Sequence, residues 1–201
     1  LIDLDHVAES NINRQVHALS STLGMAKVLA MRERIAQINP QCRVHAVEEF
    51  VEPSNAEALI PAGASVIIDA CDQTKAKVAL VALARARGVL CFISGAAGGK
   101  RFAHHVQVAD LADVTHDPLL ASVRQRLRKA HGFAARGNIG VQAVFSKEAI
   151  VHDRVQDAQA GLACAGYGSS VAVTATFGMA LASLALEAIA SAVQSAVPRL
   201  G

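Results

Sequence analysis

The chain has 201 residues, 52% hydrophobic and 18% charged. This balance excludes a disordered or collagen-like polymer and fits one medium domain with a buried core. A net charge of +2 gives no strong pull toward nucleic acid by itself, and an aromatic content of 3% with no Trp argues against the extended base-stacking track of single-strand-binding proteins. The four cysteines, Cys42, Cys71, Cys91 and Cys164, form no CxxC pair, which excludes a zinc site built from two such pairs. Scattered thiols suit a reducing, cytoplasmic setting.

Leu1-Ile2-Asp3-Leu4-Asp5 reads as the exit of a buried parallel strand, and predicts further sequence ahead of residue 1. Asn11 to Ser21 is polar and irregular. A helix is predicted from about Leu23 to Ile38, capped by Thr22 and carrying an apolar stripe of Leu23, Ala26, Ala30, Ile35 and Ile38, with Pro40 as its stop. Arg43 to Val47 reads as a short strand, and Ser54-Asn55-Ala56-Glu57 as a capping box opening a short helix. Val66 to Asp69 has the β-branched character of a strand covered on both faces. Thr74 to Arg87 reads as a helix stopped by Gly88, and Val89 to Ile93 as another buried strand. Strand and helix alternate, so an open, mostly parallel α/β sheet is expected.

Beyond Gly99 the pattern changes. Phe102 to Val108 alternates as a half-exposed strand, and Asp117-Pro118 opens a helix ending near Lys129. Residues 131–140 are loop-like, Val141 to Phe145 and Glu148 to His152 read as short strands, and 153–162 is weakly patterned. A long apolar helix runs from Ser170 to about Val193, long enough to span a bilayer, which takes ~20 residues. Glu187 and its Ser, Thr and Ala content favour a core or interface helix, with membrane association as the alternative.

Ligands of doubly wound sheets bind at the carboxyl ends of the strands. Asp3, with Asp5 nearby, stands where an acid takes the ribose hydroxyls of a nucleotide; a solvated turn acid is the bland alternative. Arg14, in the run Ser10-Asn11-Ile12-Asn13-Arg14-Gln15, and Lys27, thirteen residues on, pair a bidentate guanidinium with a compact ammonium, a combination suited to a triphosphate. Asp72, just past the Val66–Asp69 strand and beside Gln73, can hold magnesium with that triphosphate, with an ordinary acid of a strand-to-helix turn as the alternative. Gly95 to Gly99 either lets backbone approach a ligand or makes a tight turn; it is no GxxxxGKS/T loop. Cys164 precedes the long helix, where a thiolate nucleophile would be favoured, though a small buried thiol is the commoner meaning. His104 and His105 lack a metal-spaced partner. Arg124, Arg126, Arg128 and Lys129 form a basic helix surface, solvated by default, with a polyanion such as tRNA as the alternative.

Taken together, Asp3-Leu4-Asp5-His6-Val7, Asn11, Arg14-Gln15, Gly24 with Lys27, Arg34-Ile35, Ile38-Asn39-Pro40 and Asp69-x-x-Asp72 resemble the ThiF/MoeB/HesA family, bacterial relatives of ubiquitin-activating enzymes. The resemblance continues through Val106 to Leu111, Asp117-Pro118-Leu119, Val144-Phe145-Ser146-x-Glu148 and Val173 to Gly178, and there it is to the branch acting on threonylcarbamoyladenosine in tRNA. It implies a Rossmann-like sheet with flanking helices, lacking its first strand and glycine-rich loop, and a C-terminal extension with antiparallel strands and a long apolar helix. It implies one adenylating domain over 1–201, with 1–99 binding nucleotide and 100–201 serving substrate and dimer contacts. ATP and magnesium are the implied cofactors. Asp3 would hold ribose, Asn11, Arg14 and Lys27 the phosphates, and Asp72 the metal, with Gln15 and Gln73 in the same binding set. The implied activity is adenylation of the threonylcarbamoyl carboxylate followed by dehydrative ring closure. The alternative is adenylation of the C-terminus of a small sulfur-carrier protein. A nicotinamide dehydrogenase is a weaker alternative because it gives Arg14, Lys27 and Asp72 no joint task, and a binding-only scaffold is weaker because every charged position is retained. The implied partners are modified tRNA, a second copy of the chain and sulfur-acceptor or cysteine-desulfurase proteins.

Overall fold

The computed structural model describes residues 1–149 and 168–196. The chain forms two compact units, Leu1–Glu52 and Pro53–Gly201.

In the first unit the opening residues lie parallel to the segment ending at Val47, with Asp3 N donating to Val47 O at 3.1 Å and Val47 N to Leu1 O at 2.9 Å. The strand expected at Arg43–Val47 therefore shrinks to one bridge, and Leu1 is exposed rather than buried in a sheet. Helix α1 spans Lys27–Ile38, starting four residues later than expected from Leu23. The backbone of 24–26 is already committed: Val7 N donates to Met25 O at 2.8 Å, Gly24 N to Val7 O at 2.9 Å, and His6 bridges Ala26. Gly24, at φ 79°, makes the turn that allows this. Thr22 consequently caps nothing in α1; its hydroxyl donates to His17 O and accepts from Leu19 N in a 3₁₀ turn. Leu23 and Ile38 of the expected stripe are exposed, while Val7, Ala18 and Ala30 form the small core.

In the second unit a short helix α2, Ala56–Leu59, begins at Asn55 with no side-chain cap bond, so the expected Ser54–Glu57 capping box does not form. Glu57 instead stands 4.0 Å from Arg87, whose guanidinium also grips Ile60 O and Glu57 O. The sheet has four strands, β1 Val66–Asp69, β2 Leu90–Ser94, β3 Val106–Asp110 and β4 Gln142–Ser146, in the order β1-β2-β4-β3. β1, β2 and β4 run parallel, and β3 closes the edge antiparallel to β4. This is the mostly parallel α/β sheet expected.

Helix α3, Thr74–Arg87, ends at Gly88 with φ 66°, the left-handed stop that glycine allows. Helix α4, Pro118–Ala130, is capped by the Asp117 carboxylate, which accepts Leu120 N at 2.9 Å. Helices α3 and α4 pack together, with α3 over β1 and β2. Because strand side chains alternate between faces, Phe92 and Val144 point the other way, to helix α5, Val171–Ala196, where Val173, Phe177, Leu181 and Ala185 meet them. Cover on both faces of β1 is incomplete: Ile67 and Asp69 are buried, but Ile68 is exposed. The strand expected from Phe102 starts only at Val106, since Ala103–His105 turn as 3₁₀ helix. Glu148 and Ala149 lie beyond β4 and outside any strand, and 150–152 of the Glu148–His152 expectation lie, with the 153–162 pattern, outside the described residues.

Candidate active site

In the first unit Asp3 folds over its own turn, its Oδ1 accepting Asp5 N at 2.8 Å. Lys27, at the first turn of α1, places Nζ 2.7 Å from Asp5 Oδ2. Asn11 is buried and accepts Ala8 N at 3.1 Å, which fixes the turn carrying Arg14. Arg14 donates to Ser10 O at 2.7 Å and Asn13 Oδ1 at 2.8 Å. Asp3, Asp5 and Lys27 thus gather at one place.

Sequence reasoning overlooked His17, which joins that group. Its imidazole is driven below its ordinary range by burial and then by the Lys27 ammonium, against the pull of Asp3. It is therefore neutral at pH 7. Both of its ring nitrogens, and Gln15 Oε1, are buried without a hydrogen-bond partner among the described residues. Buried polar atoms are nearly always paired, so unpaired ones at a cluster of charges are what a polar ligand would satisfy. The signal lay within the Asn11–Leu19 run, but a lone His in a polar stretch names no role.

In the second unit the carboxyl end of β1 is tied by a buried ion pair, Lys77 Nζ to Asp69 Oδ2 at 3.2 Å, with side chains 0% and 1% exposed. Asp69 Oδ1 also accepts Cys71 N at 3.0 Å, so the pair sets the turn from β1 into α3. That turn presents Asp72 and Gln73 to solvent. Asp72 makes no hydrogen bond or ion pair among the described residues, which leaves its carboxylate available to a cation. No group of three or more His, Cys, Asp or Glu is arranged as a metal cage among the described residues. A single free carboxylate fits magnesium as it binds with phosphates, through one or two carboxylates plus phosphate oxygens. Burial, then the Asp69 charge, pushes the Cys71 and Cys91 thiols up to about 12 each, so neither is a nucleophile at neutral pH. Cys164 lies outside the described residues.

A second buried framework braces the turn after β2. A Cβ on Gly95 would fall 2.1 Å from Asp117 Oδ2, so only glycine fits there. The Asp117 carboxylate accepts Ala96 N at 2.8 Å. Lys100 is buried and donates to the carbonyls of His116, Ser146 and Glu148. Glu148 in turn accepts Arg101 N at 2.7 Å and Phe102 N at 3.0 Å. Burial would raise this carboxyl, but those N–H groups and the Arg101 side chain outweigh it and hold Glu148 below its ordinary range. The basic surface of α4 is partly committed too. Arg124 donates to the carbonyls of Leu111, Ala112 and Val114, and Arg128 to Ala134 and Gly137, so each pins a loop.

The family model for the ThiF family matches residues 1–199. The tRNA threonylcarbamoyladenosine dehydratase of Escherichia coli (strain K12) is 40% identical over 200 residues, covering 93% of this chain and 75% of that protein. The enzyme of the same name from Haemophilus influenzae is 36% identical, over 89% of this chain and 70% of that protein. The crystal structure of the E. coli dehydratase TcdA in complex with ATP matches with a TM-score of 0.85 and 41% identity, covering 96% of this chain and 76% of that one. With the parallel sheet, the Asp69-x-x-Asp72 turn and the Asn11–Arg14 turn in place, these likenesses settle the classification: the chain belongs to the ThiF family.

Proposed function

We propose that this protein is an ATP-dependent tRNA threonylcarbamoyladenosine dehydratase. The observation that carries the reading is 40% identity to the E. coli enzyme of that name over 93% of this chain. The chemistry needs activation because a carboxylate is a poor electrophile. A carboxylate oxygen of the threonylcarbamoyl group attacks the α-phosphorus of ATP and pyrophosphate leaves. A nearby nitrogen of the same side chain then attacks the acyl carbon, closing the ring and expelling AMP. The net change to the nucleoside is loss of one water.

Residues of the first unit suit the nucleotide. Asp3 offers a carboxylate to ribose hydroxyls. Arg14 and Lys27 offer cations to phosphate oxygens, where they stabilise the charge that grows as pyrophosphate departs. Lys27 rests on Asp5, and an arriving phosphate competes for that ammonium. Asn11 holds the Arg14 turn, and Gln15 and the neutral His17 provide unpaired polar atoms for the nucleotide. In the second unit Asp72 is the magnesium ligand, with Gln73 beside it; the metal supplies charge neutralisation on the phosphates. Residues 1–99 are assigned to nucleotide binding and 100–201 to substrate and dimer contacts. The exposed apolar row of α5, Val171, Met179, Leu186, Ile189 and Val193, supports pairing with a second copy; a lipid surface is the alternative. Cysteine-desulfurase or sulfur-acceptor proteins are further partners of the proposal, and the cytoplasm is its setting.

The test is mass analysis of nucleosides after incubating the full-length protein with ATP, magnesium and tRNA bearing threonylcarbamoyladenosine. The reading requires a nucleoside lighter by one water. Adenylation of a Gly-Gly-ending carrier protein instead, followed by a transfer step that Cys164→Ala abolishes, would establish the sulfur-transfer alternative.

A further inference from the structure

Four side chains that neither the nucleotide nor the metal uses stand together just before β3. The rings of Phe102 and His104 lie 5.4 Å apart, Phe102 and His105 5.6 Å, and His104 and His105 4.5 Å. The Arg101 guanidinium sits 5.2 Å over the Phe102 ring. Phe102 is 43% exposed, and Arg101 and His104 are exposed with it. Of the six Phe residues, Phe92, Phe133, Phe145 and Phe177 are buried and Phe50 and Phe102 are exposed; Phe102 is exposed with a guanidinium over its ring. His105 is half-buried, and its Nδ1 is enclosed without a partner among the described residues.

The cluster is held before any ligand arrives. Phe102 N is fixed by Glu148 Oε2, Phe102 O accepts His105 N at 3.2 Å, and His105 O accepts Lys147 N at 3.0 Å. An ordered surface loses little freedom on binding. Its place also matters. β1, β2 and β4 are parallel, so Asp72, the Gly95–Gly99 turn and Glu148 follow their carboxyl ends along one rim of the sheet. β3 runs the other way, with Val106 beside Ser146, so Phe102 to His105 enter at that same rim. With neighbouring strands ~4.8 Å apart, β1 and β3 are separated by roughly 14 Å along it.

We infer that Arg101, Phe102 and His104 form a stacking platform for an unpaired nucleobase of the tRNA substrate, on the rim of the sheet that carries Asp72. This rests on the proposed dehydratase reading. RNA is the occupant that the chemistry fits: an exposed ring, two imidazoles and a guanidinium offer π-stacking and hydrogen bonds to base edges, and Arg101 with exposed Lys147 offers cations to the flanking phosphates. A low aromatic content excludes a long track of stacked bases, but one base needs one ring.

The experiment measures affinity for tRNA bearing threonylcarbamoyladenosine at fixed salt, together with KM and kcat, for the full-length protein and for Phe102→Ala and Phe102→Trp. Phe102→Ala should weaken tRNA binding and raise KM for tRNA by roughly 5- to 100-fold, the usual loss of one stacked base. ATP affinity and kcat at saturating tRNA should stay unchanged, and Phe102→Trp should restore binding. Wild-type tRNA affinity in Phe102→Ala overturns the inference. So does a parallel loss of tRNA and ATP binding in both variants, which marks a structural role, and so does an unmodified protein that binds no tRNA. Should the protein bind tRNA through Phe102 yet never dehydrate the nucleoside, the dehydratase reading fails while the platform stands.

Discussion

Replacing Lys77 with Met removes the only cation paired with Asp69 among the described residues. Both side chains are essentially sealed, at 0% and 1% exposure, and Nζ lies 3.2 Å from the carboxylate. Met matches the length of Lys, so packing changes little, and the loss is mainly electrostatic. A buried carboxylate stripped of its partner costs about 3–5 kcal/mol. For a chain of this size about 2–4 °C of melting temperature follows each kcal/mol, so the midpoint should fall by about 6–20 °C. Thermal unfolding followed by far-ultraviolet circular dichroism reads this directly. The double variant Asp69→Asn/Lys77→Met should recover most of the loss, because the amide still accepts Cys71 N and no buried charge remains. A Lys77→Met midpoint within about 2 °C of the parent would refute the reasoning. A double variant no better than the single one would equally show that the ion pair is not the cause.

Gly95→Ala should destabilise by about 1–3 kcal/mol in chemical denaturation, since its methyl would enter the space of the Asp117 carboxylate; an unchanged midpoint would show that helix α4 yields freely. Stability should rise with pH between about pH 3 and pH 7. Glu148 and Asp110 are held below their ordinary range, so what they contribute is present above the unfolded carboxyl value and lost as acid titrates the folded one. His17 adds in the same direction, because its lowered affinity for a proton penalises the folded state below the unfolded imidazole value. Urea midpoints that are flat across this window would contradict both. Alkylation at pH 8 mapped by peptide mass should label the exposed Cys42 well before Cys71 and Cys91, whose thiols lie at about 12; equal rates would mean that the β1–α3 turn opens readily.

Much of the second unit was legible because its signals are local. Asp117-Pro118 and Gly88 fix helix ends by chemistry within a few residues, and the apolar runs at Val66 and Leu90 have strand composition. The first unit misled where long-range pairing outbid local preference. The segment 23–26 has helical spacing, yet its backbone bonds to Val7 and bridges His6, so α1 starts only at Lys27. At the site, charged residues on strand-end turns could be named from type and spacing. What holds them could not. Lys77 with Asp69, and Lys100 with the carbonyls of His116, Ser146 and Glu148, are contacts made by folding. A buried Lys looks like a surface Lys in a sequence. The Phe102 cluster was hidden for a related reason, since composition counts rings but does not say which of them reach solvent.

The most direct measurement is pyrophosphate release by the full-length protein supplied with ATP, magnesium and tRNA, comparing tRNA that bears threonylcarbamoyladenosine with the same tRNA lacking the threonylcarbamoyl group. The account requires pyrophosphate and AMP in equal amounts from the modified tRNA alone, with sharp losses in Lys27→Met and Asp72→Asn. Equal release from both tRNAs, or none from either, would contradict it.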